Sequence, residues 1–273
     1  MKTLKIKMLL VATAIAFFGC SKDDNNENEG EGQGDPNAIV SIPDANFKNA
    51  LLNNNTVIDT NGDGEIQVSE AEAVTNLWVS NENINNLKGI EFFINLDELH
   101  CDNNTNLDNL DVTKNVNLKK LVANFTALST VDLTKNTKLT FFDCFGCLNL
   151  QTIQVATGAG ENKIESLNIC NTQIATFNAQ NYERLKYLIC RNTKLTALDL
   201  SSNALLEQVF GNENALLTKL NIKNGNIAQI SDVQMFDCPN LTSICVDDVA
   251  AANAKDPDRW IKDPTTIYTE NCN

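Results

Sequence analysis

The chain has 273 residues, 42% of them hydrophobic and 6% aromatic, with a formal net charge of −14. That is enough apolar material for one large or two average domains, while so acidic a surface repels phosphate backbones and argues against nucleic acid and anionic lipid headgroups as partners. A single histidine, His100, leaves catalytic triads and His-based zinc sites without parts.

Residues 1–19 read as an export signal. Lys2, Lys5 and Lys7 precede an apolar run of eleven residues, Met8 to Phe18, which is too short to span roughly 30 Å of hydrocarbon as a helix. The run ends in Phe17-Phe18-Gly19-Cys20, which resembles a lipobox and implies cleavage before Cys20 and acylation of its thiol. Each buried acyl methylene contributes about 0.8 kcal/mol, so two or three chains hold a protein firmly to a membrane. The Asn/Glu/Gly stretch that follows has almost no apolar residue to offset its ordering entropy, so residues 20–38 read as a disordered acidic tether. Its opening, Ser21-Lys22-Asp23-Asp24, resembles the surface-export signal of Bacteroidetes lipoproteins. That implies an outer-membrane lipoprotein exposed at the cell surface, the alternative being one that faces the periplasm.

Residues 39–76 read as an N-terminal cap. A helix is expected over residues 43–52 with Asp44 near its start, and a very short second one over residues 69–74. Between them, Asp59-Thr-Asn61-Gly-Asp63-Gly64-Glu65-Ile66-Gln67-Val68-Ser69-Glu70 fits the twelve-residue EF-hand loop. Asp59, Asn61 and Asp63 offer side-chain oxygens, Glu65 its carbonyl and Glu70 a bidentate carboxylate, with Gly64 at the sharp turn. The expectation is a structural calcium ion that staples the cap and does not act as a switch.

Residues 77–244 repeat themselves. Leu96-x-x-Leu99-x-Cys101, Leu118-x-x-Leu121-x-Ala123, Leu139-x-x-Phe142-x-Cys144, Ile164-x-x-Leu167-x-Ile169, Leu185-x-x-Leu188-x-Cys190 and Leu206-x-x-Val209-x-Gly211 start 22, 21, 25, 21 and 21 residues apart. A second series lies halfway between: Leu107-x-x-Leu110-Asp-Val112, Leu128-x-x-Val131-Asp-Leu133, Leu195-x-x-Leu198-Asp-Leu200 and Leu217-x-x-Leu220-Asn-Ile222. Such a chain winds into a coil with its leucine columns inside. No turn buries its apolar face alone, so turns must stack and the stack needs caps. Asn104, Asn115, Asn136 and Asn203 fall at the bends, where an amide can satisfy backbone groups of adjacent turns. Either series could supply the concave sheet.

These repeats resemble the leucine-rich repeat family, and in particular the compact, asparagine-rich repeats of secreted Bacteroidetes proteins; Leu110-Asp-Val-Thr-Lys-Asn115 and Val131-Asp-Leu-Thr-Lys-Asn136 carry the likeness most closely. The resemblance implies an α/β-type leucine-rich repeat solenoid, mostly strands and irregular coil with few helices, between the helical cap with its EF-hand-like loop and a C-terminal cap over residues 245–273. It further implies that Cys245 and Cys272 form a disulfide in that cap. Cys101, Cys144 and Cys190 share an inward column and read as buried thiols. Cys144-Phe-Gly-Cys147 has redox-motif spacing without a redox-fold context, and Cys170, one step out of register, is expected to be exposed, as is His100.

If the cysteine series forms the concave sheet, Phe141, Phe145, Tyr187, Ile189 and Phe210 point outward on neighbouring turns, an apolar patch suited to recognition. The expected function is a surface-exposed lipoprotein module that binds an unknown protein or glycan ligand. The alternative is a structural envelope protein without a specific ligand, with a two-carboxylate hydrolase a distant third.

Overall fold

The computed structural model describes residues 35–272, within a unit that spans Gly32–Asn273. Cys20, the export signal and most of the tether lie outside the described residues.

Each Leu-x-x-Leu-x-Cys segment places its second apolar residue at the centre of a short strand. The strands Asn76–Trp78, Glu98–His100, Lys120–Val122, Phe141–Asp143, Ser166–Asn168, Tyr187–Ile189, Gln208–Phe210, Asp232–Met235 and Trp260–Lys262 line up in that order as one nine-stranded parallel sheet. Leu77, Leu99, Leu121, Phe142, Leu167, Leu188, Val209 and Val233 stand opposite one another across successive strands. All are fully buried. A slip of one residue would turn this column to solvent, so burial itself holds the register. Two residues further on, Cys101, Cys144 and Cys190 are equally buried, as expected of a small thiol in a narrow core.

The phase left open by spacing is therefore fixed: the cysteine series forms the large sheet. The second series forms a four-stranded parallel sheet from Ala197–Asp199, Lys219–Asn221, Ser243–Cys245 and Ile267–Thr269, and a two-stranded one from Thr130–Leu133 and Thr152–Val155. Between these two sheets the backbone leaves extended geometry for a 3-10 turn, Ala179–Asn181, after the longer repeat has looped out at residues 157–160.

Every strand of the large sheet from the first to the eighth is followed, two or three residues on, by a left-handed residue. Asn81, Asn103, Phe125, Gly146, Asn171, Asn192, Glu213 and Asp237 all have φ between 48° and 72°. Asparagine and glycine tolerate that conformation best, and Asn81, Asn103, Asn171, Asn192 and Gly146 hold five of these positions.

Both caps close the stack with backbone hydrogen bonds. At the N-terminal end, Val40 N–H donates to the Ile66 carbonyl at 2.8 Å and Val68 N–H to the Ala38 carbonyl at 2.9 Å. Helix α1, Ala45–Leu52, starts at Asp44, and α2, Val68–Ala73, follows the loop. At the other end the leucine pattern stops at Ile244 but the strand pairing does not: Trp260 stands opposite Val233, and Tyr268 opposite Ile244. The cap is thus a further turn of the coil, with helix α3, Val249–Asn253, beside it and the expected Cys245–Cys272 disulfide across it.

Candidate ligand face and cation loop

Side chains alternate along a strand, so the neighbours of each buried leucine or phenylalanine point to the outer face of the nine-stranded sheet. One outward row runs Glu98, Lys120, Phe141, Ser166, Tyr187, Gln208, and the next His100, Val122, Asp143, Asn168, Ile189, Phe210. A third row, just beyond the strands, includes Phe145, Cys170 and Arg191, joined by Gly146 N–H to the Cys170 carbonyl and Asn171 N–H to the Arg191 carbonyl. The structure thus brings together Phe141, Phe145, Tyr187, Ile189 and Phe210 on one face, each half-buried.

Two cations lie along this patch on its aromatic rings. Lys120 Nζ is 5.7 Å from the centre of the Phe141 ring and the Arg191 guanidinium 5.6 Å from that of Phe210. Tyr187 Oη donates to Glu207 at 2.8 Å. A depression of about 370 Å³ opens between Phe145, Asn168, Cys170, Ile189 and Arg191.

Sequence reasoning missed two members of the face. Phe125 is 43% exposed and holds the left-handed position at the end of its strand, a costly place for a bulky side chain. Its ring meets Phe145 edge-on at 4.9 Å and covers Gly146, where a Cβ would approach the ring to 2.7 Å. The signal was present as an aromatic in a column otherwise held by small or polar residues. Trp78 heads the second row, 44% exposed, with its ring 5.7 Å from His100. His100 is half-buried and not exposed, because Trp78 lies against it and Glu98 stands 3.6 Å from its Nε2.

In the cap, the loop residues converge by hydrogen bonding. Asp59 accepts from Gly62 N–H at 2.7 Å and Gly64 N–H at 2.9 Å, with both glycines at positive φ. Glu70 Oε1 accepts from the N–H and the hydroxyl of Thr60, both at 2.7 Å, and its Oε2 accepts from Gln67 N–H at 3.0 Å. Burial pushes the Glu70 carboxyl up, but these donors outweigh it and hold it below the usual range. Asp63 Oδ2 accepts from the side-chain amides of Asn61 and Gln67 at 3.0 and 2.9 Å, and Glu65 pairs with Lys48 at 2.7 Å. The five residues of the motif are brought into one loop. Their carboxylates rest on the loop's own N–H groups, and among the described residues no three carboxylate, thiol or imidazole side chains form a metal cage. The donor set is all oxygen, as a hard cation requires.

No family model matches the chain, and no curated protein matches it in sequence. Solved structures do resemble it. Internalin C2 from Listeria monocytogenes is 20% identical over 75% of this chain and 93% of its own, with a TM-score of 0.52. The leucine-rich repeat domain of the type III effector XopL is 18% identical over 73% of this chain and 74% of its own, with a TM-score of 0.53. The chain has the leucine-rich repeat fold.

Within that leucine-rich repeat coil the free cysteines are packing groups. The Cys144 thiol donates to the Asn168 carbonyl and that of Cys147 to the Ala123 carbonyl, each at 3.1 Å. Burial pushes both thiols up, away from the reactive thiolate. Cys170, expected to be exposed, is 96% buried. Its sulfur sits at the floor of the depression and accepts Arg191 N–H at 3.3 Å, and burial pushes it up to about 11.

Proposed function

We propose that this chain is a lipid-anchored binding module displayed at a bacterial cell surface, which recognises a protein ligand on the outer face of its nine-stranded sheet. The observation that carries this reading is the grouping of Phe141, Phe145, Tyr187, Ile189 and Phe210 within four successive strands, with Phe125 at its margin. Half-buried aromatic and aliphatic groups beside arginine are the mixture that carries most of the energy at protein interfaces. A glycan is the rival occupant of the same face. Binding and not catalysis is proposed, and in line with it Cys144 and Cys147, which have redox-motif spacing, are held protonated by burial.

Two further parts belong to the proposal. Acylation of Cys20 would place the module at the outer membrane, facing outward through the Ser21-Lys22-Asp23-Asp24 tract. A calcium ion held by Asp59, Asn61, Asp63, the Glu65 carbonyl and Glu70 would neutralise the loop's carboxylates and fasten the cap.

The test is capture of partners by the immobilised mature protein from envelope, host-protein and polysaccharide fractions. A protein captured by the wild type and lost by the Phe141→Ala, Tyr187→Ala double variant, at an unchanged melting temperature, is the expected result. Equal capture by the variant would overturn the assignment of the face. Capture of nothing would favour a structural envelope role.

A further inference from the structure

We propose that Asp143 is the anchor point for a cationic side chain, arginine or lysine, of the protein that docks on this face. The inference rests on the reading of the sheet as a ligand face and names the chemistry of its partner.

Asp143 lies on the strand at one end of the patch. Phe141 on the same strand and Phe145 just beyond it flank it on the outer side, with Val122 and Asn168 opposite on the neighbouring strands. Its surroundings offer the carboxylate neutral hydrogen-bond donors but no ion pair. Phe145 N–H reaches Oδ1 at 3.2 Å but lies closer to Asn124 Oδ1, at 2.9 Å. Among the described residues no lysine, arginine or histidine forms an ion pair with it. Lys120 turns to Glu98 at 3.7 Å and to the Phe141 ring, and Arg191 covers Phe210. Burial pushes the Asp143 carboxyl up. The Phe145 N–H and the amides of Asn124 and Asn168 only partly reverse this, and the Asp102 carboxylate adds to it.

A carboxylate half-buried among phenylalanine rings without a counter-charge costs the free protein stability. A docking protein that covered it with an apolar or anionic group would bury it completely, at greater cost. A guanidinium or ammonium group supplies the missing charge, while its aliphatic stem lies along Phe141 and Phe145. The rest of the face has the same sign. From its first strand to Gln208–Phe210, its rows and strand ends carry Glu98, Asp102, Asp143 and Glu213 against Lys120 and Arg191.

The test uses the ¹⁵N-labelled mature protein and two probes of nearly the same shape, N-acetyl-arginine methylamide and its neutral counterpart N-acetyl-citrulline methylamide. The Phe145 amide signal reports on the carboxylate that it faces. A saturable shift with the arginine probe, at least tenfold weaker with citrulline and lost in Asp143→Asn, is the expected result. An equal shift with citrulline, an unmoved Phe145 signal or an undiminished shift in Asp143→Asn would overturn the proposal; the first two need no variant to fold. Partner capture separates the two levels. If Asp143→Asn still captures a protein that Phe141→Ala, Tyr187→Ala has lost, the ligand face stands and the cationic anchor falls.

Discussion

Asn136 Nδ2 donates to the carbonyl of Asn115, one turn back, at 2.9 Å, and to that of Val112 at the same distance. Asn115 does likewise to Ile90 at 2.8 Å and Phe93 at 3.0 Å, so a column of buried amides ties each bend to the one before it. Asn136→Ala removes the side chain that bridges those two carbonyls. It should destabilise the protein by about 1–3 kcal/mol, read from urea unfolding. Because Asn136 donates to the backbone carbonyl of Asn115 itself, the Asn115→Ala, Asn136→Ala double variant should depart from additivity.

Asp44 holds the N-terminal cap through four backbone donors. Oδ1 accepts from Asn46 and Phe47 at 2.9 and 3.0 Å, and Oδ2 from Asn85 and Asn86 at 2.8 and 3.1 Å. Burial raises its carboxyl, the four donors outweigh burial, and the group titrates below its ordinary value of 3.8. A carboxyl lowered by folding stabilises above the unfolded value and loses that contribution as pH falls through the folded one. Asp44→Ala should therefore cost about 1–2 kcal/mol at neutral pH. The gap to wild type should narrow below the ordinary value, as thermal melts across acid pH would show.

Calcium should stabilise the cap by mass action. At a free concentration a hundredfold above Kd the gain is about 2.7 kcal/mol, visible as a higher melting temperature in calorimetry. Chelator should reverse it and Glu70→Gln should remove it. An unchanged melting temperature with and without the ion takes calcium out of the account.

Asp143 carries the opposite sign to Asp44. Its carboxyl is raised in the folded state, so the charged form is the costly one; the cost builds as pH rises past the unfolded value and is complete above the folded one. Asp143→Asn should be at least as stable as wild type at neutral pH, and the two should converge in acid, where both side chains are neutral. Stability gained with loss of the arginine-probe shift would mark a residue kept for binding.

Much of this architecture is legible in the chain, for a physical reason. A 21-residue period with leucine at fixed offsets has one good packing solution, so the inward column from Leu99 to Leu188 follows from it, while the outward face shared by Phe141 and Tyr187 follows only once the cysteine series forms the long sheet. Spacing could not say which series pairs into the long sheet, since both carry leucine at the same offsets. That is decided where the second series breaks at Ala179–Asn181 while the first runs on. Trp260 and Tyr268 continue both sheets without the leucine signature, because strand pairing is a backbone property that a cap can extend with aromatic filling. Phe125 and the burial of Cys170 were hidden for a similar reason: both depend on how one turn's bend lies over the next, a contact between residues about 20 positions apart.

The central claim is that the ligand sits on the outer rows of the nine-stranded sheet. Photo-crosslinking tests it most directly, with benzoylphenylalanine placed at Phe210 in one protein and at the exposed Thr152, on the two-stranded sheet, in another. The account predicts a covalent adduct with the captured partner from position 210 and none from position 152. Adducts from position 152 alone, or equally from both, would contradict it.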